Sequence, residues 1–263
     1  MTCNSHVERS GSGNAIVLIH GVGLDLRMWD EVVEALAGRF ELIRYDMLGH
    51  GATPPCVKTP TLDDYVRQLE QLLQEQALYR PSIVGYSMGG LIAGEFAARH
   101  PDKLDRLILM STIFRRSEAE RRSVLARLAR AENDADSDNA RSSIERWFSP
   151  AYIRSHEERI SAFRKRLLTN SKENFLAAYR IFAASDETLP SAGPRIKCPT
   201  LVVTGEHDAG STPVMAEALA NAISDAKLEI VPEQKHMLPV ESPETIAGLL
   251  TKFLSSDIAV KID

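Results

Sequence analysis

The 263-residue chain has few cysteines, no excess of positive charge and no long apolar run. Its three cysteines are odd in number and widely spaced, which predicts neither a disulfide framework nor a zinc site and favours a reducing compartment. The formal net charge of −5 argues against a nucleic-acid partner. No stretch has the length and apolarity of a membrane span or of a secretion signal. These absences predict a soluble cytoplasmic protein with no nucleic-acid or membrane partner.

Short apolar runs alternate with amphipathic stretches along most of the chain. Six runs are predicted to be buried strands: residues 15–19, 40–45, 82–84, 104–110, 200–204 and 228–231. Helical patterns lie between them, and the last begins with a capping serine, a proline and an acid at residues 242–244. This alternation predicts parallel strands joined by right-handed crossovers, and therefore an α/β fold with a doubly wound, mostly parallel sheet.

One long segment interrupts the alternation. Residues 114–194 carry helical patterns without a convincing strand, and we expect them to form a helical cap between two strands. Residues 1–113 and 195–263 are then the two parts of the core. Such an insertion usually lies over the carboxyl ends of the strands, where parallel sheets bind ligands. A helical subdomain far from the site is the alternative.

A glycine-flanked serine directly follows one predicted strand. Ser87 lies in the sequence Gly85-Tyr86-Ser87-Met88-Gly89, between that strand and a helix rich in small residues. A sharp strand-to-helix turn presents a serine to a base in a strained conformation, and flanking glycines make room for it. The helix N-terminus adds free N–H groups where an oxyanion would form. The motif alone occurs by chance in long chains, so its interpretation as a nucleophile depends on the rest of the sequence.

Two later strands are each followed by a residue that a serine nucleophile needs. Asp208 follows the strand at 200–204 and is the predicted acid, with Glu206 in the same loop as the alternative. His236 is the predicted base, because it alone of the seven histidines follows the last strand. The order Ser87, Asp208, His236 is that of a nucleophile, acid and base at the carboxyl ends of successive strands.

A glycine-containing loop follows the first predicted strand. In His20-Gly21-Val22-Gly23, the backbone N–H of Val22 can pair with that of Met88 as an oxyanion hole. An ordinary strand-to-helix turn is the alternative. His20 is predicted to be a buried, hydrogen-bonding residue that shapes the loop rather than a base.

These motifs, with the loop Asp46-Met47-Leu48-Gly49-His50-Gly51, resemble the α/β-hydrolase family in order over almost the whole chain. Within that family the chain looks most similar to 3-oxoadipate enol-lactonases, on residues 25–30, 146–150, 208–213 and 236–244. The resemblance implies acyl transfer from an ester or enol-lactone through a Ser-His-Asp triad, without a metal or organic cofactor. As a departure, the family's usual first strand is expected to be absent, with residues 5–9 as one strand.

The resemblance also implies roles for two cap residues. Enol-lactonase substrates carry a free carboxylate, so Arg146 is expected to anchor a carboxylate and Trp147 to line the acyl pocket. In the alternative, Trp147 and Phe148 pack the cap onto the core while Arg146 faces solvent or Glu145. Six arginines at the start of the cap are interleaved with glutamates, which predicts a solvated helix face: Arg115, Arg116, Arg121, Arg122, Arg127 and Arg130.

Other functions on the same fold stay open at this point. A carbon–carbon hydrolase of ring-cleavage products would share the triad, although Met237 stands where such enzymes typically have tryptophan after the base. A general carboxylesterase or perhydrolase would differ only in the pocket, and a small-molecule receptor would hydrolyse weakly or not at all. The predicted partner is a small ester or lactone, and the sequence gives neither its identity nor the oligomeric state.

Overall fold

A computed structural model of the chain describes residues 4–133 and 135–255. Within these residues seven strands form one sheet: β1 (Val7–Gly11), β2 (Ala15–Ile19), β3 (Glu41–Tyr45), β4 (Ser82–Tyr86), β5 (Leu107–Met110), β6 (Thr200–Gly205) and β7 (Ala226–Val231). Their order in the sheet is β1-β3-β2-β4-β5-β6-β7. β1 pairs antiparallel with β3, and the other neighbours are parallel. The predicted mostly parallel sheet is confirmed.

Helices cover both faces of the sheet. They are α1 (Asp30–Leu36), α2 (Leu62–Glu75), α3 (Met88–Arg99), α4 (Glu118–Asn133), α5 (Asp136–Trp147), α6 (Pro150–Ser155), α7 (Glu157–Thr169), α8 (Lys172–Ala184), α9 (Thr188–Ala192), α10 (Pro213–Ala222), α11 (Leu238–Glu241) and α12 (Pro243–Leu254), with short 3-10 helices at Leu26–Trp29 and Gly193–Arg195. Val17 and Ile19 of β2 belong to the apolar cluster with α2, α3 and α10, whereas Ile16 and Leu18 belong to the cluster with α1 and α12. This period of two is what a strand buried on both faces requires.

The first strand differs from the expectation, because it runs from Val7 to Gly11 rather than from residue 5 to residue 9. It lies at the edge of the sheet, and its Glu8 and Arg9 form ion pairs with Arg44 and Glu41 of β3. Charged side chains suit an edge strand. They also remove the apolar signal by which a strand is recognised in a sequence.

The segment between β5 and β6 is helical in its described part, from α4 to α9. The apolar cluster that contains α1 and α12 also includes Ile144 of α5, Phe148 directly after α5, and Phe163 of α7. These helices therefore pack onto the rest of the protein. A smaller cluster joins α4 to α8 through Val124, Ala131 and neighbouring α8 residues. The division into core and cap at residues 114–194 stays a prediction.

The cysteines differ from the expectation. Cys56 is disulfide-bonded, and Cys198 is a buried free thiol. The sequence analysis predicted no disulfide framework and did not foresee a bonded Cys56, because spacing along the chain does not reveal which residues approach each other in space. None of the described helices combines the length and the apolar character needed to cross a bilayer.

Candidate active site

Ser87 lies at the sharp turn between β4 and α3. Its φ of 54° and ψ of −114° are a strained combination for a residue other than glycine. A Cβ on Gly85 would lie 2.3 Å from the carbonyl oxygen of Gly89, and one on Gly89 would lie 2.6 Å from a carbonyl oxygen of β2. The Ser87 N–H donates to the Met110 carbonyl at 2.8 Å, and the Thr112 hydroxyl donates to the Ser87 carbonyl at 2.8 Å. The glycines and these bonds hold the serine in the strained conformation.

Asp208 and His236 meet in the loops that follow β6 and β7. The imidazole Nδ1 of His236 donates to Asp208 Oδ2 at 2.6 Å. The other carboxylate oxygen, Oδ1, accepts from the backbone N–H groups of Gly210 and Ser211 at 2.8 and 2.9 Å. Both side chains are buried. Because the carboxylate takes the hydrogen on Nδ1, Nε2 of His236 is left as the acceptor.

The alternative acid, Glu206, lies elsewhere. It is exposed and accepts from the backbone N–H of Glu233 at 2.9 Å. Among the described residues, Glu206, His207 and Glu233 bring possible metal-ligand atoms within 4.8 Å of one another. All three are exposed and none lines the cleft described below. The structure thus brings Asp208, and not Glu206, to His236.

Two residues that the sequence analysis did not assign hold the His236 loop. The Tyr86 hydroxyl donates to the His236 carbonyl at 3.0 Å, and its ring centroid lies 5.1 Å from that of the imidazole. Ser111 follows β5 with a φ of 47°, and its Oγ lies 3.4 Å from the same carbonyl. The Ser111 carbonyl accepts from the Ser211 hydroxyl at 2.8 Å, which ties it to the Asp208 loop. The only sequence signal for Ser111 is its place directly after a central strand.

The loop after β2 approaches Ser87 closely. A Cβ on Gly21 would lie 3.1 Å from the Cβ of Ser87, and Val22 lines the same cleft as Ser87. Met88 is the first residue of α3, so its N–H has no acceptor within the helix. No hydrogen bond from the Val22 N–H is found within residues 4–133 and 135–255. Both N–H groups are therefore available beside the serine.

His20 supports this loop, as its sequence context predicts. It is buried, its Nε2 accepts from the Met47 N–H at 2.9 Å, and its Nδ1 donates to the Gly21 carbonyl at 2.8 Å. With both ring nitrogens engaged, it is no base. The ring of buried His50 lies 5.3 Å away. Burial lowers the pKa of both imidazoles, that of His50 to about 4.

Stability is expected to fall as the pH drops from about 6.5 towards 4. An unfolded chain binds a proton at His50 below the ordinary pKa of 6.5, whereas the folded chain binds it only below about 4. The stabilisation by neutral His50 is therefore complete above pH 6.5, and its loss at pH 4 is of the order of 3 kcal/mol. Urea unfolding across this pH range measures the change in the free energy of unfolding. His50→Asn, which keeps a donor for the Leu48 carbonyl, should flatten the dependence, and the exposed His156→Asn should not. Equal slopes in all three proteins would contradict it.

A cleft of about 850 Å³, including its open mouth, contains Ser87, Asp208 and His236. Arg146 and Trp147 also line it. The Trp147 ring stacks on the His236 imidazole with centroids 6.3 Å apart and planes at 30°. Phe148 instead is fully buried in the core beside Phe163. The structure therefore combines the two sequence interpretations, since Trp147 lines the cleft and Phe148 packs α5 onto the core.

The arginines at the start of the helical segment divide into different environments. Arg121 and Arg122 are exposed, which agrees with the predicted solvated face. Arg116 is buried, pairs with Asp186 at 2.8 Å and lies over the Phe182 ring, against that prediction. Arg127 and Arg130 line the cleft, where Arg127 is half-buried and Arg130 is exposed. The sequence analysis did not predict that these two arginines line the cleft. Helix α4 has too few apolar residues for their spacing to show which of its faces borders the cleft.

Comparison with known proteins identifies a matching family and several similar hydrolases. A profile described as alpha/beta hydrolase fold matches residues 14–243. (E)-2-((N-methylformamido)methylene)succinate hydrolase of Acinetobacter baylyi is 28% identical over 254 residues, 96% of this chain and 94% of the relative. 3-Oxoadipate enol-lactonase 2 of the same organism is 26% identical over 88% of this chain and 84% of its own. The solved enol-lactonase of Burkholderia xenovorans LB400 is 27% identical, with a TM-score of 0.88 and 97% coverage of both chains.

Proposed function

Because the chain belongs to the alpha/beta hydrolase fold family, we propose that it is a serine hydrolase that cleaves an ester or enol-lactone bond in a small, carboxylate-bearing substrate. One observation carries the proposal: the strained, glycine-flanked Ser87 lines the same cleft as the hydrogen-bonded Asp208–His236 pair. Hydrolases among the relatives, one of them an enol-lactonase, support the reaction class.

The proposed reaction begins with attack by Ser87. Nε2 of His236 accepts the hydroxyl proton while Oγ of Ser87 forms a bond to the substrate carbonyl carbon. The carbonyl π electrons move to oxygen, and the N–H groups of Val22 and Met88 donate to the resulting oxyanion. Asp208 fixes the imidazole tautomer and stabilises the imidazolium.

Collapse of the tetrahedral intermediate completes acylation. The bond from the carbonyl carbon to the leaving oxygen breaks, and His236 returns its proton to that oxygen. Water then attacks the acyl-enzyme with His236 as the base, and a second collapse restores the Ser87 hydroxyl and releases the acid. The steps balance without a metal or organic cofactor.

The position of Arg146 is the reason to propose that the substrate carries a carboxylate. It lines the cleft with its guanidinium carbon 5.7 Å from the Trp147 ring centroid. Within the described residues its hydrogen-bond partner is the Ser143 hydroxyl at 3.4 Å, and no carboxylate pairs with it. A guanidinium can take a carboxylate through two parallel hydrogen bonds. The relatives named for an oxoadipate enol-lactone and for a methylenesuccinate support such a substrate.

Arg146→Ala is expected to lower kcat/KM for carboxylate-bearing esters by about 10- to 150-fold, which corresponds to about 1.5–3 kcal/mol for charge-assisted hydrogen bonds. Neutral esters of similar size should change little. The comparison needs p-nitrophenyl esters matched in length, with and without a terminal carboxylate. Arg141→Ala, at an exposed position on the same helix, is the matched control. Equal losses on both substrate types would make Arg146 a structural residue.

The reaction itself is tested by turnover. Purified protein is expected to hydrolyse p-nitrophenyl acetate, and a panel of small lactones, enol-lactones and esters would identify the preferred bond. A complete absence of turnover across the panel would favour a receptor on this fold.

A cytoplasmic location and the lack of nucleic-acid and membrane partners stay predictions. The disulfide at Cys56 removes the cysteine argument for the location.

A further inference from the structure

Three arginines line the cleft over Ser87. Arg127 and Arg130 come from α4, one helical turn apart, and Arg146 comes from α5. Among the described lining residues Asp208 is the only carboxylate, and both of its oxygens already accept hydrogen bonds. The described part of the cleft therefore carries more positive than negative charge.

The partners of these arginines are neutral within the described residues. Nε of Arg127 donates to the Tyr179 hydroxyl at 3.3 Å, and Nη1 donates to the Ser123 hydroxyl at 2.7 Å. Arg146 has the Ser143 hydroxyl. No ion pair joins Arg127, Arg130 or Arg146 to an acid in residues 4–133 and 135–255.

Two buried or largely buried arginines outside the cleft pair with acids in the described part of the chain. Arg116 lies 2.8 Å from Asp186, and Arg166 lies 3.1 Å from Asp25. In the cleft, burial lowers the pKa of Arg146, and the positive charges of Arg127 and Arg130 also lower it, whereas Tyr179 and Asp208 raise it. Repulsion between like charges in a partly desolvated site is reduced when an anion binds.

We propose that the cleft binds a dicarboxylate, with one carboxylate on Arg146 and the second on Arg127, beside Arg130. The inference rests on the proposed function for the identity of the bond that is cleaved. What it adds concerns only the two charged ends of the ligand. A single carboxylate would offset one of three guanidinium charges, and a second would offset another. Tyr179 accepts from Arg127 and keeps its own hydrogen to donate to the same carboxylate.

Two anchors on different helices would also orient the substrate. A ligand held at one end can rotate, whereas a ligand held by α4 and α5 presents its middle in a fixed direction. Ser87 and His236 line the same cleft as both anchors. The dicarboxylate is thus bound in a way that favours one carbonyl for attack.

Calorimetry on the purified 263-residue chain tests the inference without turnover. The probes are succinate, glutarate and adipate, which vary the spacing of the carboxylates, and the monoamide of each, which has the same shape with one charge. At least one dicarboxylate is expected to bind about 10-fold or more tightly than its monoamide, the range for an added charge-assisted bond. Arg127→Gln should remove this preference while the monoamide binds within about twofold as before, and Arg127→Lys should retain part of it.

Arg122→Gln is the matched control, because Arg122 lies on α4 but is exposed outside the cleft. Dicarboxylates that bind the native chain no more tightly than their monoamides would overturn the inference. So would an equal loss in Arg122→Gln, or tighter binding of inorganic phosphate than of all three dicarboxylates. If the preference is present but no ester is hydrolysed, the proposed function fails and the inference stands. Ester hydrolysis without the preference gives the opposite result.

Discussion

Replacing Ser87 by alanine is expected to lower kcat by about 10⁴-fold or more, because a nucleophile and its base act as a unit. Without Oγ no acyl-enzyme can form, and His236 can only assist direct attack by water. The substitution keeps a Cβ in the strained turn, so the backbone at φ 54° is not given the freedom of glycine. Substrate binding should change much less than kcat. Steady-state kinetics on a p-nitrophenyl ester measures both.

Covalent labelling supplies an independent measurement of the same residue. A fluorophosphonate should modify Ser87 in the native chain and leave the alanine variant unlabelled. Ser142 is the matched control, since it also lines the cleft but lies on α5, away from the carboxyl ends of the strands. Ser142→Ala should keep both labelling and turnover. Labelling at another serine, with activity retained in Ser87→Ala, would refute the assignment.

The sheet could be predicted from local signals, and so could the placement of Ser87, Asp208 and His236 at one edge of it. Continuous apolar runs mark strands that are buried on both faces, as β2 shows with its alternate contacts to two clusters. Ser87 directly follows the buried strand β4, and Asp208 and His236 lie in the loops after β6 and β7. Since parallel strands end at one edge of a sheet, residues far apart in the sequence are brought together there.

Features that depend on contacts between distant residues were not predictable. The bond from Tyr86 to the His236 carbonyl spans 150 residues, and that from Ser111 spans 125. Neither residue type marks such a role. The edge strand β1 lacks an apolar pattern because it faces solvent. The cleft-facing arginines lie on a polar helix, where periodicity does not distinguish a face that borders a cleft from one that borders water.

Asp208→Asn is the second change for which we expect a large effect, a loss in kcat of about 10⁴-fold through the wrong imidazole tautomer. Oδ1 of Asp208 accepts two backbone N–H bonds, from Gly210 and Ser211. An asparagine would place its carbonyl oxygen there and turn its NH₂ group towards Nδ1 of His236. That nitrogen would then have to accept, so the imidazole proton would move to Nε2 and block the position that takes the Ser87 proton.

Glu206→Gln is the matched control for Asp208→Asn, because it makes the same change from acid to amide in the same loop. Glu206 is exposed and accepts only from the Glu233 N–H among the described residues, a bond that an amide oxygen can keep. Its kcat should stay within about twofold of the native value, as expected for a surface substitution away from the reacting atoms. Asp208→Asn should remain folded, because its amide oxygen satisfies the same two N–H groups, and fluorophosphonate labelling should be slow but still specific for Ser87. If Glu206→Gln proves the more damaging change, the acid of this site is Glu206, and the pairing of Asp208 with His236 is structural.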